Sequence, residues 1–392
     1  MADGPFSTST PCTPPTPEED GLARLRLIRS RRVGPTTFWR LIDEYGSAAA
    51  ALDALPEVAR AAGVEGYTPC PPEVARAEIA AARRIGARMV MRGMPGYPAA
   101  LHDLPDAPPL FWTLGDPTLL TRPMVALVGA RNASSLGLRM AGKMAADLRA
   151  AGLVVVSGLA RGIDTAAHEA ALPGATLAVQ AGGLDVIYPR ENADLARRIA
   201  ETGCRLSEQP MGLEPQARHF PVRNRLISGL VQAVVVVEAA ARSGSLITAR
   251  TALDQGRDVL AVPGHPFDAR AGGCNMLIRD GATLVRGAED VIEALAPRPG
   301  DQPTRLPPPA PVPGDPPAAD PVPPPRTRGR SPREIAALHR QILDRLGPSP
   351  LAEDQLIRDL ALPAADVAPE LLALELEGKL QRQPGGLVSR LN

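Results

Sequence analysis

From Met124 onward, short uninterrupted apolar runs alternate with stretches of helical spacing, and no other feature limits the fold so tightly. Val125-Ala126-Leu127-Val128, Leu153 to Ser157, Thr176 to Gln180, Cys204 to Ser207, Ala233 to Glu238 and Val259 to Val262 read as strands. Leu138 to Ala151, Ile163 to Leu172, Asn192 to Thr202, Arg225 to Leu230 and Leu246 to Gln255 read as the intervening helices. A strand that is apolar at every position has no face to offer water, so helices must cover it on both sides. The pattern predicts an α/β domain over 124–296: a central, doubly wound, mostly parallel sheet of an extended Rossmann-like kind.

The flanks differ in composition. Residues 1–20 are rich in Pro and Thr and read as a disordered tail. Residues 21–93 are Ala-rich and helical, and Val33-Gly34-Pro35 separates two short helical patterns. Such a turn suits a small helical domain of the sterile-alpha-motif or helix-hairpin-helix kind, whose turn amides can hold a DNA backbone. A plain helical domain with a solvated basic face is the other reading. Residues 94–123 read as a Pro-rich connector anchored by Phe111 and Trp112, and 297–332 as an extended Pro-rich linker. Residues 333–392 combine helical spacing with a glycine hairpin, Gln383 to Val388, which predicts a C-terminal winged helix.

Composition narrows the function. Lys+Arg and Asp+Glu both total 43 in the 392 residues, so any nucleic-acid site has to be a local cluster. Cys12, Cys70, Cys204 and Cys274 stand far apart with no CxxC pair, which argues against a zinc site or a disulfide framework. The N-terminus lacks the basic and apolar regions of a signal peptide, and no apolar run approaches the ~20 residues needed to span a bilayer. The expectation is a cytoplasmic protein with no membrane, metal or cofactor.

Open α/β sheets bind ligands at the carboxyl ends of their strands. After the first strand comes Gly129-Ala130-Arg131-Asn132, in which Arg131 occupies a position that a dinucleotide fingerprint reserves for glycine. No acid ends the second strand to receive a ribose hydroxyl; Ser157-Gly158 stands there, leading to Arg161-Gly162. A dinucleotide is disfavoured, while a glycine turn, an arginine and a helix N-terminus still suit phosphate. Asp164 and His168 lie one helical turn apart and read as a helix cap and a structural hydrogen bond rather than a catalytic pair. Further on, Arg218, Arg223, Asn224 and Arg225 surround Phe220. Arginines neutralise phosphates, and an aromatic face adds about 1–3 kcal/mol per stacked base. A helix start with Phe220 in the core and solvated arginines is the plainer reading of the same residues. Ser243-Gly244-Ser245 opens another helix and suits phosphate.

The segments VALVGARNASSLG, VVSGLARGIDTAAHEAAL, AGGLDVIYP, FPVRNRLISGL, VVVVEAAARSGSLITARTAL and GCNMLIRDGA resemble, in order and spacing, the DNA-processing protein A family (DprA, also called Smf). The resemblance implies cooperative single-stranded DNA binding without catalysis, protection of DNA in natural transformation, and loading of the RecA recombinase. It implies phosphate contact by Arg131, close backbone approach at Gly158 and Gly162, and an inserted base beside Phe220, with Arg223 and Arg225 adjoining. Some members carry a DNA-binding lysine three residues before that phenylalanine; Ala217 stands there, with Arg218 next to it. It also implies a homodimer built on Asn275 to Leu284, with Asn275, Ile278 and Leu284 as contacts, although these suit an ordinary core as well.

Two other readings compete. A nucleotide phosphoribohydrolase-like enzyme on the same fold pairs a glycine loop with a glutamate in a PGGxGTxxE segment. Here Glu238 precedes the loop, and no glutamate stands at the matching offset. A duplex-binding regulator would read DNA with its winged helix, but Ala365 to Leu376 is acidic and suits a partner better than phosphate.

Overall fold

The computed structural model describes residues 16–296, 332–346, 350–383 and 387–390. The expectations for residues 1–15, for 297–331 and for the hairpin tip at 384–386 lie outside them. The chain begins with four helices, α1 (Pro17–Arg29), α2 (Pro35–Tyr45), α3 (Ala48–Ala61) and α4 (Pro72–Arg84). Residues 16–20, expected to be part of a disordered tail, start α1 instead. Thr16 Oγ1 accepts from the Glu19 backbone at 3.3 Å, and the Glu19 carboxylate accepts from the Thr16 backbone at 2.9 Å. This reciprocal capping satisfies two donors that a helix start otherwise leaves open.

Strands and helices then alternate: β1 (Arg88–Met91), β2 (Leu110–Gly115), β3 (Met124–Gly129), α5 (Ser135–Ala150), β4 (Val154–Ser157), α6 (Ile163–Ala171), β5 (Thr176–Val179), α7 (Ala193–Thr202), β6 (Cys204–Ser207), α8 (His219–Leu230), β7 (Ala233–Glu238), α9 (Ser245–Asp254), β8 (Asp258–Ala261), α10 (Gly272–Arg279), β9 (Thr283–Leu284) and α11 (Ala288–Leu295). They form one sheet in the order β1-β2-β6-β5-β4-β3-β7-β8-β9. β3 through β9 run parallel, as the continuous apolar strands require. Val125 and Leu127 face one core and Ala126 and Val128 the other, so both faces are covered.

Two expectations change. β1 falls inside the segment read as purely helical, and β2 inside the one read as an irregular connector. The prolines around Leu110–Gly115 hide its alternation: Phe111 is buried on one side of the sheet and Trp112 on the other. Trp112 also bolts the helical layer to the sheet. Its Nε1 donates to Glu78 Oε1 at 2.7 Å, and that carboxylate holds Arg29 at 2.8 Å. Second, α8 starts six residues before Arg225. Pro221 lies in the first turn, where its missing N–H costs nothing.

The C-terminal module comprises α12 (Pro332–Arg345), β10 (Leu351–Ala352), α13 (Glu353–Leu360), α14 (Ala364–Leu376), β11 (Leu380–Gln383) and β12 (Leu387–Arg390), with strand order β10-β12-β11. Three helices and a small antiparallel sheet make a winged helix. It sits against the N-terminal helices. Leu372 enters their core, Arg40 Nη1 donates to the Ala368 carbonyl at 3.0 Å, Arg40 Nη2 pairs with Glu353 at 3.4 Å, and Thr37 Oγ1 donates to Glu375 at 3.2 Å.

Arg225 belongs to the framework. Its guanidinium pairs with Glu208 and with Asp106 Oδ2 (3.5 Å), and Nη1 donates to the Asp106 carbonyl at 2.7 Å. Burial pushes the Glu208 carboxyl up, against the pull of Arg225. Arg225→Ala leaves that acid without its cation and is expected to cost about 3–5 kcal/mol. Urea denaturation reads this as a fall in midpoint, with partial recovery in Arg225→Ala/Glu208→Gln; an unchanged midpoint for the single variant refutes the assignment.

Candidate functional site

Strand order reverses direction between β3 and β7: the chain runs outward from β3 through β4, β5 and β6, then returns to lay β7 on the other side of β3. At such a switch point the loops diverge and leave a crevice. Here it is a cleft of about 1010 Å³, walled by the loop after β3, the loop after β7 and the start of α8.

The loops around it are locked by close backbone packing. Ala130 donates to the Glu238 carbonyl at 2.7 Å, and Ile163 to the Ala130 carbonyl at 3.2 Å. Gly162 has φ +73, and a side chain there would strike the Ala130 carbonyl at 2.3 Å. Ser134 caps α5 by accepting from Gly137 at 2.9 Å, and its own backbone donates to Glu238 Oε1 at 2.9 Å.

Arg223 is buried at the back of the cleft, 5% exposed. Its Nη1 donates to the Val179 carbonyl at 2.9 Å, across the bare backbone of Gly158; a Cβ at Gly158 would lie 1.8 Å from that nitrogen. Burial lowers the Arg223 pKa to about 10, opposed by Asp164, so it stays charged at neutral pH. Its Nε lacks a partner among the described residues, an unmet donor of the kind that collects at binding sites. Phe220 lies three residues earlier on the same helical face. Arg131 stands over its ring at 5.1 Å, Arg223 lies at 6.0 Å and the Tyr188 ring at 5.7 Å.

Asp164 and His168 brace this wall. The N-cap of α6 is Gly162, so Asp164 does not cap the helix as the sequence suggested; its Oδ2 accepts from Gly158 at 3.1 Å and Ala160 at 3.3 Å. Burial raises the Asp164 pKa. His168 makes the structural bonds its spacing suggested: Nε2 accepts from Leu159 at 3.3 Å and Nδ1 meets Thr176 Oγ1 at 2.6 Å, which itself donates to the Val155 carbonyl. Burial lowers the His168 pKa to about 3.

The cleft gathers Gly129, Arg131, Phe220, Arg223, Asn224, Ser243 and Gly244. Gly158 and Gly162 support it from behind. Three arginines of the expected set are placed elsewhere. Arg161 is exposed and paired with Glu191, Arg218 is exposed with its Nε 3.3 Å from His219, and Arg225 is buried among acids. Ala217 lines the cleft. Sequence reasoning missed Arg242 and Arg270, which line the far wall. Arg270 follows β8, but nine residues on, beyond where strand-end reading stopped. Of the residues assigned to a dimer contact, Asn275 is engaged with the Gly264 backbone at 3.0 and 3.1 Å, Ile278 packs on the core, and Leu284 is 44% exposed on the edge strand β9. Among the described residues no cluster of His, Cys, Asp or Glu is placed to hold a metal, and no helix is long and apolar enough to cross a membrane.

The family model for DNA recombination-mediator protein A matches residues 88–296. The chain belongs to that family. Models for a DprA-like N-terminal HHH domain and a DprA winged helix domain match 18–81 and 307–386. The chain is 42% identical to the DNA processing protein DprA of Bacillus subtilis over 238 residues, 60% of this chain and 79% of the relative. It is 48% identical to that of Streptococcus pneumoniae over 198 residues, 50% of this chain and 70% of the relative. The solved DprA of S. pneumoniae superposes with a TM-score of 0.54 at 36% identity, covering 67% of this chain and 98% of that one. A Helicobacter pylori DNA processing protein A, studied for its single-stranded DNA binding mode, gives 0.50 at 30% identity, covering 54% and 96%.

Buried His168 makes the stability of this chain depend on pH. Its folded pKa of about 3 lies below the free value of 6.5, so the unfolded chain binds a proton that the folded chain refuses. This stabilisation is complete above pH 6.5 and declines as pH falls towards 3. Between pH 7 and pH 5 the decline amounts to about 2 kcal/mol. Urea midpoints of wild type and His168→Gln at the two pH values are expected to differ by that slope; equal slopes would remove His168 from the account.

Proposed function

We propose that the cleft holds single-stranded DNA, and that the protein uses it to protect incoming or damaged strands and to load the RecA recombinase, working as a homodimer without catalysis of its own. The observation that carries this reading is the Arg131 guanidinium over the Phe220 ring at a switch-point crevice. A cation beside an open aromatic face suits alternating phosphate and base, and two helix starts, α8 and α9, add partial positive charge. Arg242 continues that charge along the opposite wall, beside Arg270, which is paired with Asp268. The H. pylori relative supports the choice of ligand, and family membership supports the mediator role. Leu284 on the short open edge of the sheet supports a second copy as partner.

The enzyme reading finds less support. Glu238 is engaged with Ser134, and Asp164 with two backbone amides. The Gly182-Gly183 pair packs under Pro210 to Pro215 and does not open a loop to a substrate.

Two substitutions separate the contributions. Arg131→Ala is expected to weaken oligothymidylate binding and to flatten the slope of log K against log salt by about 0.7, one phosphate contact on a single strand. Phe220→Ala is expected to cost about 1–3 kcal/mol with the slope retained. Fluorescence anisotropy across a salt series measures both, and unchanged affinity in both variants sinks the reading. Release of free base from nucleoside monophosphates would revive the enzyme.

A further inference from the structure

Phe267 is 94% exposed, the most exposed of the large apolar side chains among the described residues. Single exposed apolar residues are ordinary on protein surfaces. This one differs in its setting. It belongs to the loop that follows β8, on the same carboxyl-end rim as the cleft. Its ring lies 5.6 Å from that of His265, tilted by 34°, so the loop presents a two-ring platform to solvent.

The loop is fastened to the cleft wall. Asn275 clamps Gly264 from one side. On the other, Gly273 donates to the Ala239 carbonyl at 2.7 Å, and a Cβ on Gly273 would meet the Ala239 and Ala240 carbonyls at 2.7 Å. Ala239 and Ala240 begin the segment that carries Arg242 and Ser243. Arg270, three residues after Phe267, itself lines the cleft. The two rings stand outside the cleft lining, on the loop that joins the wall opposite Phe220 through Arg270. Two acids face it: Asp268 accepts from the Arg270 backbone at 2.9 Å and pairs with Arg270 Nε at 3.2 Å, and Glu238 also acts on Arg270, while Arg242 on this side makes no ion pair among the described residues.

We propose that His265 and Phe267 form a second base-stacking platform, on which a single strand continues after it leaves the Arg131–Phe220 cleft past Arg270. This rests on the cleft's being the strand site. Charge complementarity and continuity with the cleft select a nucleic-acid strand as the occupant: the two walls are cationic, and every base has a flat face that stacks on an aromatic ring without regard to sequence.

Length dependence of binding tests it on the full chain, with a six-nucleotide and a twenty-nucleotide oligothymidylate as probes. Phe267→Ala is expected to weaken the twenty-mer at least about fivefold, the lower end of what one stacked base contributes, and to leave the six-mer unchanged. Phe267→Trp is expected to restore the twenty-mer, since a larger ring stacks as well or better. Arg131→Ala should weaken both lengths. If Arg131→Ala weakens both and Phe267→Ala neither, the platform is wrong and the cleft stands. If Arg131→Ala weakens neither, the cleft reading itself has failed. Equal loss of both lengths in Phe267→Ala overturns the platform as an extension of the site. Sedimentation of the same variant supplies the remaining outcome: a shift to a smaller species, with the twenty-mer loss vanishing at matched oligomer concentration, assigns Phe267 to a contact with a second copy and overturns the proposal.

Discussion

A guanidinium taken almost wholly out of water fixes the geometry of this molecule's cleft. Arg223 reaches through the place where any residue other than glycine at 158 would put its Cβ, and ends on the carbonyl that closes β5. Asp164 lies near and favours the charge of that arginine against its burial, and Asp164 in turn holds the amides of the glycine loop. The end of β5, the loop after β4 and helix α8 are thereby one assembly. Because Phe220 precedes Arg223 by three residues, the same anchoring aims the phenyl ring at the cleft. Arg131 then approaches that ring from another loop, so two cations lie close to one aromatic ring. Their mutual repulsion is a cost that an anion between them would relieve.

The chain as a whole carries no net charge, yet the cleft is cationic. The difference lies in how arginines are partnered. Arg29, Arg40, Arg161 and Arg225 have acids beside them, whereas Arg131 and Arg242 make no ion pair among the described residues. Local charge of this kind acts only within about 10 Å at moderate salt, so it favours a ligand that lies in the groove over one that merely approaches the surface.

The parallel sheet was legible because strands covered on both faces must be apolar throughout; β6 and β7 match their expected limits to the residue. β2 was not, because prolines flank it and it lies between two antiparallel partners, β1 inside a stretch read as helical and β6 some ninety residues away. The cleft was legible as a set of strand-end loops, which is why Arg131, Phe220 and Ser243 come together. The orientation of neighbouring arginines was not. Arg223 and Arg225 are two positions apart on α8, and successive helical residues turn by about 100°, so one points into the cleft and the other away from it. That distinction needs the true helix start at His219, six residues before the helical stretch read from the sequence. Asn275 shows the same limit: its amide is consumed by a backbone clamp on Gly264 that no local pattern announces.

The winged helix rests on the N-terminal helices through Arg40, Thr37 and Leu372, while residues 297–331 join it to the far end of the sheet domain. Both partners of this contact are carried by one chain, so their encounter is a ring closure rather than a collision in solution. Carrying both partners on one chain raises the effective concentration of each for the other above that of separate pieces, and lengthening the intervening chain weakens such a closure only as a slow power of length. A soluble partner competing for the same helix faces must therefore outbid a neighbour that never diffuses away. The contact itself, an ion pair and hydrogen bonds around one buried leucine, can be weak in each part and still be occupied most of the time.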